Sequence, residues 1–272
     1  MEFDQFLKET SSLFGLHWRR FQRREIRRRI EHHLAELSLG SFEEYNQRIK
    51  EDPQERGHLF RILTVTISRF YRDQEVFNTI ETSVFPALLK QNTRELKMWS
   101  IGCASGEEPY SLCLLWKARF EKDWPQVHFS VLATDIDEGL LKRAKEGRYK
   151  KSSLREVPQD ILGEYFRTEG DAFLLDKRVG SCVEFQKHDI LREEPFSGMD
   201  LLFFRNLAFT YFSTEMQVEI LKKIFMCLKE EGYLVIGNDE SIPLTYPTLF
   251  TPVFPKWKIY QKLILMTSSL GR

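Results

Sequence analysis

Residues 99–110, with the sequence WSIGCASGEEPY, decide the fold of this chain. The apolar run at 96–101 predicts a strand, Gly102 and Gly106 bound a short loop, and a helical pattern continues to about residue 120. Two glycines allow a sharp turn and a close approach of the backbone to a ligand. The loop lacks both the G-x-G-x-x-G spacing of a dinucleotide site and the Gly-Lys-Ser/Thr of a P-loop. The alternative interpretation is a plain strand-to-helix turn without a ligand.

Strands and helices alternate on the carboxyl side of this loop. Further strands are predicted at 128–134, 199–204 and 232–237, with helices up to about residue 146 and at 214–228. Such alternation predicts an α/β protein whose parallel sheet is covered on both faces. A proline-punctuated segment at 253–265 predicts a closing antiparallel hairpin.

The amino-terminal part predicts helices instead. Four apolar residues share one helical face: Ile26, Ile30, Leu34 and Leu37. Ser41 followed by Glu44 is a capping-box pattern, which predicts the start of a further helix. The Asp52-Pro53 pair predicts a break before another helix at about 55–65.

Composition excludes several classes of protein. The chain is 42% hydrophobic and 13% aromatic, which is too apolar for a disordered protein. Its 40 basic residues balance 40 acidic ones, so no overall field favours nucleic acid or a membrane surface. The apolar runs are far shorter than the ~18 residues that cross a bilayer. The acidic start has no signal-like apolar region, so we expect a cytoplasmic protein without membrane insertion.

The four cysteines, at 103, 113, 182 and 227, show neither zinc-ligand spacing nor a disulfide framework. We therefore expect reduced thiols and no metal site.

Acidic residues follow two further predicted strands. Asp135 ends the strand at 128–134, and Asp189 comes after the short strand predicted at 182–187. Ligands of open α/β sheets bind at the carboxyl ends of strands, where an acid can accept ribose hydroxyls. Asp135 could instead cap the next helix, although Asp137 is the better candidate for that cap. A nucleoside site without a phosphate cradle suits S-adenosylmethionine (SAM), which carries an amino-acid tail instead of phosphates.

These segments closely resemble the motifs of the CheR family, SAM-dependent methyltransferases that esterify glutamates of bacterial chemoreceptors. The matching segments are 41–45, 66–72, 99–111, 133–137, 204–207 and Tyr211-Phe212. The resemblance extends from about residue 6 to about residue 241. It implies a Rossmann-like class I methyltransferase sheet at 76–272, a helical domain at 1–75 and a small β-subdomain at about 171–188. In some members of the family that subdomain docks a receptor tail.

The resemblance also implies roles for individual residues. Those that would bind the cofactor are Thr66, Ser68, Arg72, Gly102, Gly106, Glu107, Asp135, Asp189, Ile190, Arg205 and Asn206. Asp135 would hold the ribose, Asp189 and Ile190 the adenine, and Glu107 the methionine end. Tyr211, near the transferring methyl group, and Arg72 are the catalytic candidates.

The chain departs from the family pattern at the reaction end. Thr66 and Asp189 replace the usual Asn residues, Ser68 replaces Thr, and one additional residue precedes Tyr211. The sequence therefore does not identify the group that accepts the methyl. The alternatives to a protein glutamate are a non-chemotaxis protein or a small molecule, or no transfer at all in an inactive SAM sensor.

An arginine-rich helix is predicted at 17–33, where seven Arg and two Glu give a local charge of 7 − 2 = +5. The residues expected on one face are Arg20, Arg24, Arg27 and Arg28. Arginine pairs well with carboxylates, so we expect this face to bind an acidic protein substrate, such as a chemoreceptor. The alternatives are a solvated face and an RNA-binding patch, and the scarcity of interleaved aromatic residues disfavours RNA.

Overall fold

The computed structural model describes residues 1–18, 23–64, 68–91, 94–243 and 249–263. Arg20 and Thr66, two of the predicted site residues, lie outside these ranges. The chain divides into two compact units, one made of 1–66 with 207–217 and the other of 67–206 with 218–272. The first division falls near residue 66, whereas the sequence places the boundary at residue 75.

Helices form the first unit, and their ends follow the sequence signals. They are α1 (Phe3–Ser12), α2 (Arg23–Glu36), α3 (Phe42–Glu51) and α4 (Pro53–Leu63). The predicted stripe on α2 is buried at Ile26, Ile30 and Leu34, so this face packs into the core of the unit. Ser41 caps α3 by accepting the Glu44 N–H at 3.2 Å, as the capping-box pattern predicts.

The Asp-Pro pair ends one helix and begins the next. The Asp52 side chain accepts the N–H of Gln54 at 2.8 Å, and Pro53 occupies the first turn of α4. A proline fits there because its missing N–H would have no partner inside the helix.

The remaining elements continue in chain order. They are α5 (Gln74–Thr79), a π-helical segment (Ile80–Val84), α6 (Phe85–Lys90), β1 (Glu95–Ile101), α7 (Glu107–Arg119), β2 (His128–Asp135), α8 (Glu138–Glu146), β3 (Arg148–Lys150), α9 (Gln159–Tyr165), β4 (Phe166–Glu169), β5 (Ala172–Leu175), α10 (Lys177–Gly180), β6 (Val183–Lys187), β7 (Met199–Phe203), α11 (Ala208–Tyr211), α12 (Thr214–Cys227), β8 (Leu228–Val235), β9 (Phe250–Phe254) and β10 (Ile259–Lys262).

The second unit is built on a mostly parallel sheet. In the described residues this sheet has seven strands in the order β6-β2-β1-β7-β8-β10-β9. Strands β6, β2, β1, β7 and β8 pair in parallel with one another, and β10 is antiparallel to both β8 and β9. The predicted α/β sheet and its closing hairpin are confirmed. Strand β1 has β2 on one side and β7 on the other, so its carboxyl end is a switch point where α/β proteins bind ligands.

The β insertion differs from the sequence prediction. A three-stranded antiparallel sheet, β3-β5-β4, spans residues 148–175 of the described chain. The predicted range of about 171–188 contains β5 and β6, and only β5 belongs to the small sheet. Strand β6 pairs in parallel with β2 and forms the edge of the main sheet. The assignment of 183–187 to the β-subdomain is therefore wrong. Short strands carry little information about their partners, since pairing is a long-range choice.

None of the helices in the described ranges has the length and apolar character needed to cross a membrane.

Candidate cofactor site

The glycine-rich loop between β1 and α7 has three residues with positive φ. These are Gly102 (72°), Ala104 (50°) and Gly106 (88°). The backbone N–H groups of Gly102 and Cys103 both donate to the Thr134 carbonyl oxygen, at 2.8 and 2.9 Å. The end of β2 therefore holds the loop, and the predicted strand–loop–helix unit is present.

Gly106 is required by both conformation and space. A Cβ atom there would lie 3.0 Å from the Ala144 Cβ and 3.1 Å from atoms of Phe185 and Tyr110. A positive φ at this position also strains any residue with a side chain. Gly106 therefore lets α7 begin close against α8 and β6.

The Asp135 carboxylate joins the glycine-rich loop to the turn after β2. One oxygen accepts the Ala104 N–H at 2.9 Å, and the other accepts the Asp137 N–H at 2.9 Å. Burial raises the pKa of Asp135, and these backbone donors oppose that rise. Asp137 is the cap of α8, accepting the N–H groups of Gly139 and Leu140. The predicted division between a helix cap and a separate acid at the strand end is therefore present in the structure.

Glu107, the first residue of α7, has a buried carboxylate beside Ser68. Its Oε2 atom is buried and has no hydrogen-bond partner among the described residues. Burial raises the pKa of Glu107, and its own backbone N–H, the charge of Arg143 and the Ser68 hydroxyl oppose that rise. A buried carboxylate oxygen without a partner is costly, so this atom is suited to a cationic group of a ligand.

Arg205, which follows β7, is held by three groups of the same unit. Its guanidinium donates to the Arg72 carbonyl oxygen at 3.1 Å, pairs with Asp73, and lies 3.5 Å from the Glu108 carboxylate. Only 2% of the Arg205 side chain is exposed. Glu108 also accepts the Ser100 hydroxyl at 2.8 Å, and burial raises its pKa. The guanidinium therefore ties the segment before α5 to the start of α7.

Asn206 has a positive φ of 58° and lies against the turn after β8. Its N–H donates to the Glu240 Oε2 atom at 2.8 Å, and the Gly237 N–H donates to the same atom at 2.7 Å. This pairing joins the carboxyl ends of two adjacent strands.

The segment after β6 forms a tight turn. Asp189 accepts the Leu191 N–H at 2.9 Å, and Ile190 is buried. His188 is buried between the rings of Trp99 and Phe196. Its ring contacts the Glu194 carbonyl oxygen at 3.0 Å, which supports a packing role over a chemical one.

The other predicted residues belong to the helical unit. Tyr211 ends α11, and its carbonyl oxygen accepts the His17 N–H at 2.6 Å. On α2, Arg24, Arg27 and Arg28 are exposed. Arg27 pairs with Glu31 at 2.7 Å.

All four cysteines, Cys103, Cys113, Cys182 and Cys227, are free thiols. Within the described ranges, no group of three or more His, Cys, Asp and Glu residues is arranged to hold a metal ion.

Sequence reasoning assigned no role to three carboxylates near the site: Asp73, Glu108 and Glu240. The one available signal was position, because Glu108 follows Glu107 in the loop motif and Glu240 ends the segment after β8. Glu240 contacts Asn206, 34 residues away in the chain, and Asp73 contacts Arg205, 132 residues away. Contacts between such distant residues are seen only in the folded structure.

A Rossmann-like sheet with a glycine-rich loop at its switch point, and acids after the neighbouring strands, defines a nucleoside-binding protein. Residues 66–259 match the family model "CheR methyltransferase, SAM binding domain", and residues 1–64 match "CheR methyltransferase, all-alpha domain". The chain belongs to the CheR methyltransferase family. It is therefore a SAM-dependent methyltransferase, and the resemblance seen in the sequence motifs is confirmed.

Curated relatives span nearly the whole chain. A chemotaxis protein methyltransferase of Listeria monocytogenes is 29% identical over 237 residues, covering 87% of this chain and 88% of that protein. A chemotaxis protein methyltransferase of Borreliella burgdorferi is 27% identical, covering 89% and 88%. Chemotaxis protein methyltransferase 2 of Vibrio cholerae is 28% identical, covering 88% and 83%.

Proposed function

We propose that this protein transfers the methyl group of SAM to a glutamate side-chain carboxylate of an acidic protein, and that the acceptor is a chemoreceptor. The names of the relatives support the chemotaxis assignment. Free thiols at all four cysteines are compatible with a reaction in the reducing cytoplasm.

The observation that carries the cofactor placement is the unpartnered Oε2 atom of Glu107. In the proposed complex this carboxylate, supported by Ser68, binds the ammonium group of the methionine end. Asp135 accepts the ribose hydroxyls, since a carboxylate oxygen that binds one N–H retains a further lone pair. Asp189 and Ile190 contact the adenine, and Gly102 and Gly106 keep the loop backbone close to the ligand.

At the reaction end, Arg205 and Asn206 are proposed to lie beside the sulfonium and the carboxylate of the methionine end. The buried guanidinium of Arg205 fixes the segment that carries Arg72, so Arg72 acts from a rigid support. The catalytic role of Tyr211 and the cofactor contact of Thr66 stay predictions from the sequence motifs.

Methyl transfer to a carboxylate needs little acid–base chemistry from the protein. SAM supplies an electrophilic methyl group on a positively charged sulfur. A glutamate acceptor with an ordinary pKa of about 4.3 is already ionised near neutral pH, so no strong base is needed. The residues of the chain therefore contribute by binding the reactants, orienting them and excluding water.

The exposed arginines of α2 are proposed to bind the acidic acceptor. Arg28 lies 3.0 Å from Glu25, and Arg27 lies 2.7 Å from Glu31, so part of the charge is neutralised within the helix. These pairs are exposed, and exposed pairs are weak. An incoming carboxylate can therefore exchange with the internal one, and Arg24 adds a further exposed cation.

The test is transfer of labelled methyl groups from SAM to purified chemoreceptor cytoplasmic fragments. We expect label that base releases as methanol, because an ester hydrolyses in base and an N-methyl group does not. Replacing the acceptor glutamates by alanine should abolish the incorporation. Base-stable label would refute a carboxylate acceptor. Tight binding of SAM without turnover on any acidic protein would instead indicate a sensor.

A further inference from the structure

A single buried carboxylate oxygen joins the carboxyl ends of strands β7 and β8. Glu240 is 2% exposed, and its Oε2 atom accepts the N–H groups of Asn206 at 2.8 Å and Gly237 at 2.7 Å. The Glu240 N–H donates back to the Gly237 carbonyl oxygen at 2.9 Å, which closes a turn after β8. The carboxylate thus folds back over its own turn and reaches the neighbouring strand end.

Both donors lie just beyond regular structure. Strand β7 ends at Phe203 and β8 at Val235, so neither the Asn206 nor the Gly237 N–H takes part in the pairing of these strands. A buried N–H group needs a partner, and here one side-chain oxygen serves two of them. Glu240 therefore supplies the hydrogen-bond acceptor for the two N–H groups that lie beyond the ends of β7 and β8.

The same contact constrains the conformation of Asn206. Its φ of 58° is uncommon for a residue with a side chain. A Cβ atom on Gly237 would lie 2.6 Å from the Asn206 Nδ2 atom, so the amide side chain lies directly on the Gly237 backbone. Glu240 therefore holds the backbone of Asn206, and the Asn206 side chain packs against the backbone of Gly237.

We propose that Glu240 is a positioning residue for the methionine end of the cofactor, acting through Asn206. This inference rests on the cofactor placement proposed above, in which Asn206 lies beside the carboxylate of the methionine end. Glu240 itself does not touch the reactants. Glu240 holds Asn206 in a fixed position. A site whose donors and acceptors are already fixed binds its ligand without the entropic cost of ordering those groups.

The experiment compares two ligands that differ only in the tail. S-adenosylhomocysteine carries the amino-acid tail, whereas 5′-methylthioadenosine shares the adenosine and the sulfur but lacks that tail. We expect Glu240→Ala to bind S-adenosylhomocysteine about tenfold more weakly, as for the loss of one well-placed hydrogen bond, and methylthioadenosine as the parent does. Titration calorimetry measures both affinities.

Asp200→Asn is the matched control. Asp200 is also a buried carboxylate, 4% exposed, that accepts a backbone N–H, that of Lys97 at 2.8 Å. It lies near the start of β7, whereas Asn206 follows the end of that strand. This variant should lose stability but bind both ligands like the parent, which separates positioning from a general loss of folding.

Glu240→Gln keeps the inference testable if the alanine variant does not fold. One oxygen now accepts both N–H groups, so the amide oxygen of glutamine can replace it, and we expect an approximately threefold loss confined to the tailed ligand. Equal weakening of both ligands, or parent affinity for both in a variant that lacks the carboxylate, would overturn the proposal. Because the readout is binding alone, a failure of the proposed glutamate acceptor leaves this result unaffected.

Discussion

Replacement of Asp135 by alanine should weaken both the cofactor site and the fold, by amounts that can be separated. The carboxylate accepts the N–H groups of Ala104 and Asp137, each at 2.9 Å, and it is 9% exposed. Leaving a buried N–H without a partner costs about 1–3 kcal/mol. The free energy of unfolding should therefore fall by about 2–6 kcal/mol for the two groups together.

The effect on the cofactor comes from the proposed hydrogen bonds to the ribose. A hydrogen bond to a charged group contributes about 1.5–3 kcal/mol, and 1.4 kcal/mol is a factor of ten. The affinity of Asp135→Ala for S-adenosylhomocysteine should therefore fall about 10- to 150-fold. Calorimetric titration measures this at a temperature where circular dichroism shows the variant folded.

Asp137→Ala is the control two residues away. It removes the cap of α8, whose carboxylate accepts the N–H groups of Gly139 and Leu140. Loss of a cap costs about 1 kcal/mol of stability, and the affinity for the cofactor should stay unchanged. The prediction fails if folded Asp135→Ala binds S-adenosylhomocysteine as tightly as the parent, or if Asp137→Ala loses as much affinity. Asp135 would then only stabilise the glycine-rich loop.

Three further predictions concern charge and titration. The double variant Arg24→Glu with Arg28→Glu should lower kcat/KM for a protein acceptor about tenfold at low salt and by less at high salt. Its affinity for SAM should be unchanged. If kcat/KM of the double variant equals that of the parent, the arginines of α2 form a solvated surface and do not bind the acceptor. A hydrogen bond from the Cys113 thiol lowers the pKa of Cys182 to about 7. The rate at which iodoacetamide alkylates Cys182 should therefore be half-maximal near that pH, as mass spectrometry can follow. In Cys113→Ala the midpoint of this pH dependence should move upward. Burial lowers the pKa of His58 below its usual value of about 6.5, so the unfolded state takes up a proton first and stability falls as the pH drops below about 6.5. Thermal melts of His58→Gln should show a weaker decline than those of the parent, and identical declines would contradict this.

Local patterns in the sequence carried much of the fold. The periodicity of residues 26–34, the Ser41 cap and the Asp52-Pro53 break each depend on neighbours within a few residues, and each is present in the structure. The glycine-rich loop was recognisable for the same reason, because Gly102 and Gly106 allow positive φ whatever the rest of the chain does. The alternation of the main-sheet strands with α7, α8 and α12 followed from the same short-range signals.

Tertiary structure alone decided which distant segments meet. Residues 183–187 form a strand by local preference, yet their place beside β2 and not in the small sheet depends on pairing across about fifty residues of chain. The use of Arg205 as a buried tie to Asp73, and of one Glu240 oxygen for two strand ends, also has no local signature. Sequence periodicity reports the burial of a residue's own face, whereas a hydrogen bond between remote groups exists only once folding has removed both from water.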